Sequence, residues 1–73
     1  MLTVTIPITF QVPDDCESAA IDLSGRICAF AHDANPMMVS SEWRPRRGFM
    51  RLIENPVILN WKKTLTKVEN ATD

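Results

Sequence analysis

Two cysteines, two glycines, one histidine and no apolar run near the roughly 20 residues of a membrane span are the scarcities that first bound this 73-residue sequence. Cys16 and Cys28 allow at most one bridge, whereas secreted domains of this size are usually held by about two to four. A reducing, cytoplasmic compartment is therefore expected. The opening MLTVTIPITF has no basic stretch and no small-residue cleavage site, and a proline and threonines interrupt it, so no signal peptide is read there. Structural zinc takes four ligands, commonly as close pairs. Cys28 and His32 would share a face of a helix, but Cys16 stands alone upstream of them, so no metal is expected. A single histidine and acidic residues gathered where capping accounts for them leave no nucleophile–base pair, and so short a chain offers little concave volume. No catalytic residue, cofactor or small-molecule substrate is expected, and the chain is not read as an enzyme.

What remains is a folded binding module. A hydrophobic fraction of 45% and a mean hydropathy of -0.08 suit a globular chain, since disorder combines low hydrophobicity with high net charge. There is room for one core, and that core is small. Residues 1–69 are taken as a single domain and 70–73 as a flexible tail. The net charge of -1 hides an asymmetry: residues 1–36 balance at -4, with Asp14, Asp15, Glu17, Asp22 and Asp33 against Arg26 alone, and residues 37–73 at +3. A field of this kind steers an anionic or mixed-charge partner to one side.

The pattern of elements predicts an α+β fold. Leu2, Val4, Ile6, Ile8, Phe10 and Val12 alternate with Thr3, Thr5, Pro7, Thr9 and Gln11, the period of a half-buried strand, placed at an edge or broken at Pro7. Asp14 and Glu17 are spaced as cap and capping-box partner. Cys16, Ala19/Ala20, Leu23, Ile27 and Phe30/Ala31 then recur at helical spacing, with Asp22 and Arg26 four apart, which predicts a helix over about 15–32. The competing reading is a hairpin turning at Ser24-Gly25, with Ala19, Ile21, Leu23, Cys28 and Phe30 on one face; a mid-helix glycine favours it. Asp33-Ala34-Asn35-Pro36 is a break. A short strand follows from Met37 to Trp43, with Met37, Val39, Ser41 and Trp43 on one side, and Phe49–Glu54 is its return, making a hairpin with an arginine-rich tip. Asn55-Pro56 can open a last helix burying Ile58, Trp61, Leu65 and Val68, with a strand at Val57–Trp61 as the alternative.

The working surface is placed on Trp43-Arg44-Pro45-Arg46-Arg47-Gly48-Phe49-Met50-Arg51. Guanidinium groups grip phosphate or carboxylate in a bidentate fashion, and Trp43 and Phe49 can stack on bases or on arginine planes. The bland alternatives are a merely solvated tip, pairing of the arginines with the acidic half of the same chain, or Trp43 and Phe49 packing as cross-strand neighbours. Lys62, Lys63 and Lys67 add auxiliary charge. Met37, Met38 and Met50 serve as an adaptable contact surface or as core filler.

In size, charge polarity and its arginine-bearing segment the whole chain resembles the small host-takeover proteins of lytic bacteriophages, in particular the very short regulators that bind host RNA polymerase. The resemblance is one of general character. It implies transcription regulation by protein–protein interaction: inhibited initiation, promoted antitermination, or both, from a seat near the RNA exit channel where basic residues also touch nascent RNA. Two other readings share the surface, a free-standing RNA- or DNA-binding module and an inhibitor of a host defence complex. No membrane partner is expected.

Overall fold

The structure, a computed structural model, describes residues 1–70. It is built of strands, which take 37% of the residues against 4% for helix, so the α+β expectation gives way to an all-β fold. Among the described residues seven short strands follow in order: β1 (Leu2–Thr3), β2 (Cys16–Ile21), β3 (Ile27–Ala31), β4 (Met37–Val39), β5 (Glu42–Arg44), β6 (Met50–Ile53) and β7 (Glu69–Asn70). They form an antiparallel three-stranded sheet in the order β2-β3-β6, a β4–β5 hairpin, and a ribbon in which β1 pairs with β7.

The helix expected over 15–32 is the β2–β3 hairpin, the reading that competed with it. Asp22 decides the matter. Its backbone N–H donates to the Arg26 carbonyl at 3.1 Å. Its Oδ1 accepts from the Ser24 N–H (3.1 Å), the Ser24 hydroxyl (2.7 Å) and the Arg26 N–H (3.0 Å). Gly25 completes the loop at φ +86°, in the left-handed region, which costs glycine little and other residues more. The Asp22–Arg26 pair does form, with Arg26 Nε donating to Oδ2 at 3.0 Å, but across a loop mouth instead of along a helix. The register sets Ala20 opposite Cys28 and Ser18 opposite Phe30. Cys28 and Phe30 therefore share their face with Ala20, not with the Ala19 and Ile21 of the expected pattern. Asp14 and Glu17 do not cap a helix: a turn closed by Cys16 N–H on the Pro13 carbonyl (3.0 Å) leads into β2, where the register shifts between Cys16 and Ser18.

Central strand β3 supplies the core. Cys28, Ala29 and Phe30 are fully buried, Ala31 nearly so. On the Cys28/Phe30 face, Ala20, Met50 and Trp43 close over them. Burying Phe30 contributes about 3 kcal/mol, a large share for a domain whose net stability is expected near 4–11 kcal/mol.

The segment expected as one strand, Met37–Trp43, folds back on itself at Ser40-Ser41, with Ser40 at φ +57°. Met38 stands opposite Trp43, so Trp43 shares its face with Met38 instead of Met37 and Val39. Consequently β6 pairs with β3 and not with β5, and the arginine segment is a crossing from hairpin to sheet instead of a hairpin tip.

No C-terminal helix forms among the described residues beyond the 3-10 turn Trp61–Lys63. Its intended stripe has nothing to pack on: Trp61 is 64% and Leu65 99% exposed. Ile58 instead bridges Phe10, and Asn60 clamps the N-terminal arm. Its side-chain amide accepts from the Thr9 N–H (2.8 Å) and donates to the Pro7 carbonyl (2.9 Å), while Leu59 N–H donates to the Thr9 carbonyl (2.7 Å). The amide thus acts as one peptide unit of a ladder. The arm is extended but laddered only at Leu2–Thr3 and Phe10, with Leu2, Val4, Ile6 and Ile8 exposed in place of a half-buried strand. The expected tail falls partly outside the described residues, which end at Asn70, opposite Leu2.

Candidate partner-binding surface

The β5–β6 crossing is held by its backbone. The N–H groups of Arg46 and Arg47 both donate to the carbonyl of buried Ala34, at 2.9 and 3.3 Å. Ala34 is positioned by its own N–H on the Ala31 carbonyl (3.2 Å), in a turn where Asp33 (φ +60°) and Asn35 (φ +51°) take the left-handed conformation. Gly48 is at φ +70° against Ala31, whose Cβ would lie 3.3 Å from any Cβ added there.

The four arginines divide. Arg44 bonds Glu42 at 2.7 Å. Arg51 forks onto Asp15: its Nε lies 3.1 Å from each carboxylate oxygen and its Nη2 also contacts Oδ2. Its guanidinium also stacks 4.7 Å from the centroid of Phe49. These two are paired with the chain's own carboxylates, which removes them as free contacts. Arg46 and Arg47 are exposed and, among the described residues, form no ion pair. Arg47 Nε donates to the Asp33 carbonyl at 2.6 Å, a bond that fixes its direction and leaves its charge uncompensated.

Beside Arg47 lies a shallow mixed-charge groove of about 450 Å³ lined by Glu17, Ser18, Asp33, Asn35, Pro36 and Arg47. Glu17 accepts from the Asp33 N–H at 2.7 Å and faces His32 Nδ1 at 3.4 Å. His32 lies just past the end of β3 and Cys28 inside it, so the helical proximity imagined for them is absent; along a strand four residues span about 13 Å.

Trp43 is half-buried, and its indole N–H donates to the Ile21 carbonyl at 3.2 Å. With Leu23 N–H on the Ser41 carbonyl (3.1 Å), this seals the two hairpin turns together around an apolar cleft of about 350 Å³ lined by Ile21, Leu23, Met38 and Trp43. Sequence reasoning missed this cleft, because it depends on the fold-back at Ser40. Lys62, Lys63 and Lys67 lie elsewhere, on the C-terminal segment. Lys62 stacks 5.7 Å from the Trp61 ring, and Lys67 lines a groove with Thr3, Val4 and Thr5.

Charge states follow these contacts. The Arg51 hydrogen bond holds Asp15 below its ordinary 3.8. Asp22 is lowered by the Ser24 hydroxyl and then by Arg26. Arg51 is raised by Asp15 and Arg26 by Asp22. Burial pushes the Cys16 thiol up, away from thiolate reactivity. Among the described residues no helix is long and apolar enough to cross a membrane. Comparison with protein-family models, curated proteins and solved structures gives no match.

Proposed function

We propose that this chain is a non-catalytic regulator that docks on a larger protein–nucleic-acid machine, in the manner of the phage proteins that bind host RNA polymerase to inhibit initiation or promote antitermination. The observation that carries the docking surface is the double anchoring of Arg46 and Arg47 to the Ala34 carbonyl, which presents two uncompensated guanidiniums from a fixed backbone. Fixing a cationic pair before binding removes ordering cost from the complex. The surface is narrower than the sequence suggests, since Arg44 and Arg51 serve the fold.

The groove beside Arg47 favours a protein partner over bare nucleic acid. Glu17 and Asp33 line it together with the arginine, so the groove offers charges of both signs, whereas a phosphate backbone can answer only the positive one. A partner with a carboxylate for Arg47 and a cation for Glu17 suits it better.

Affinity for mixed-sequence RNA and DNA across a salt series separates the readings. A nucleic-acid module loses affinity steeply, with a slope of about -0.9 per phosphate contact on duplex DNA. A docking regulator binds bare nucleic acid weakly and instead retains a bacterial RNA polymerase subunit on a column. Capture of a defence complex alone would transfer the proposal to that target.

A further inference from the structure

The bonding pattern of β2 fixes which of its backbone groups face outward. The Asp22 N–H bonds the Arg26 carbonyl, and along an antiparallel pair only alternate residues bond the same neighbour. Ser18 and Ala20 therefore turn their groups to Phe30 and Cys28 of β3, while Ala19 and Ile21 turn theirs away from the sheet. The Ile21 carbonyl is taken by the Trp43 indole. The Ala19 N–H, the Ala19 carbonyl and the Ile21 N–H have no partner among the described residues, and both residues are exposed.

This open stretch links the two hollows of the surface. The mixed-charge groove takes Glu17 and Ser18 from the start of β2, and the apolar cleft takes Ile21 from its end. Ser18 and Ile21 stand about 10 Å apart on an extended strand. Pro36 lines the first hollow and Met38 of β4 the second. We propose, resting on the docking role of Arg47, that the β2 edge receives an extended segment of a protein partner as an added strand, with a carboxylate on Arg47 and a large apolar side chain in the cleft beside Trp43, about three or four residues along.

Each part of the surface selects a different property of that occupant. Backbone groups presented in strand pattern are matched by another extended backbone, the mode in which peptides add to a sheet edge, and nucleic acid carries no such ladder. The uncompensated guanidinium of Arg47 calls for a carboxylate, and the cleft of Ile21, Leu23, Met38 and Trp43 for an apolar side chain. The edge of β6 is also open, at Met50 and Leu52, but Arg51 on that strand is taken by Asp15, and that edge has no counterpart of Arg47.

Selection of a displayed library of random linear peptides on the full chain tests the inference. Enriched sequences should carry Asp or Glu about three or four positions from Leu, Ile, Met or Phe. The tightest binder, remade with single backbone N-methyl groups, should lose affinity at alternate positions, and its binding should slow amide exchange at Ala19 and Ile21 while leaving Met50 and Leu52 unchanged. Arg47→Ala should weaken it about tenfold and remove the preference for an acid. Ala19→Pro removes an outward donor without touching the β3 ladder and should also cost about tenfold, the equivalent of one hydrogen bond. The N-methyl series leaves the protein unaltered and so decides the matter even if the proline variant does not fold. No enriched binder, tolerance of N-methylation at every position, or protection at Met50 and Leu52 in place of Ala19 and Ile21 would each overturn the inference. RNA polymerase retained equally by the parent and by a folded Ala19→Pro would overturn it and leave the docking reading standing, whereas a peptide held at β2 by a chain that retains no polymerase would do the reverse.

Discussion

The indole N–H of Trp43 reaches the carbonyl of Ile21 at 3.2 Å, and this bond fastens the β4–β5 hairpin to the edge of the three-stranded sheet. The same side chain covers the Cys28/Phe30 core. Trp43→Phe should keep most of the cover and lose the bond, at a cost near 0.5–1.5 kcal/mol. Trp43→Ala should lose both, at about 3–5 kcal/mol. Urea unfolding of the two variants would separate these effects; equal losses would mean that the bond carries the contact by itself.

Phe30 is the largest fully buried side chain. Phe30→Ala should cost about 3–5 kcal/mol, enough to leave a domain of this size barely folded at room temperature. Far-ultraviolet circular dichroism with thermal melting reads this directly, with Phe30→Leu expected to lie between the variant and the parent.

Acid should loosen the β2–β3 turn and the β6 edge. Asp15 and Asp22 are both held below their ordinary 3.8, by Arg51 and by Ser24 with Arg26 respectively. The folded state therefore binds fewer protons than the unfolded one in that range, and the stabilisation is present in full above about 3.8 and lost as pH falls through the depressed values. Melting temperatures from neutral pH down through the carboxylate range should fall most steeply below that point. Asp22→Asn should flatten part of the decline while lowering stability at neutral pH.

Asn60 stands in for a peptide unit between Pro7 and Thr9. Asn60→Asp keeps an acceptor for the Thr9 N–H but sets oxygen against the Pro7 carbonyl, so it should free the arm nearly as much as Asn60→Ala. Hydrogen exchange should show faster exchange at Thr9 and Leu59 in both, with β3 unchanged.

Several of these features were visible in the residues and several were not. Period-two alternation in the arm marks extended chain, but burial depends on a covering layer that alternation alone does not supply. Over 15–32 the spacing of Cys16, Leu23 and Ile27 fits a helix and that of Cys28 and Phe30 a strand. What separates them is Asp-Leu-Ser-Gly, whose carboxylate closes a turn on Ser24 and Arg26, a signal weaker in sequence than a long periodic run. The arginine cluster was legible as a segment. Its division was not, because Asp15 is 36 positions from Arg51 and only the order β2-β3-β6 brings them together.

That division supplies the most direct test. Binding of the co-purified partner by calorimetry, alongside melting temperature, should be measured for Arg46→Ala with Arg47→Ala and for Arg51→Ala. The account expects the first pair to abolish or greatly weaken binding with the melting temperature nearly unchanged, and Arg51→Ala to lower the melting temperature through the loss of Asp15. Binding that survives the Arg46/Arg47 change, or a fold that collapses with it, would contradict the claim that these two guanidiniums belong to the partner and not to the protein.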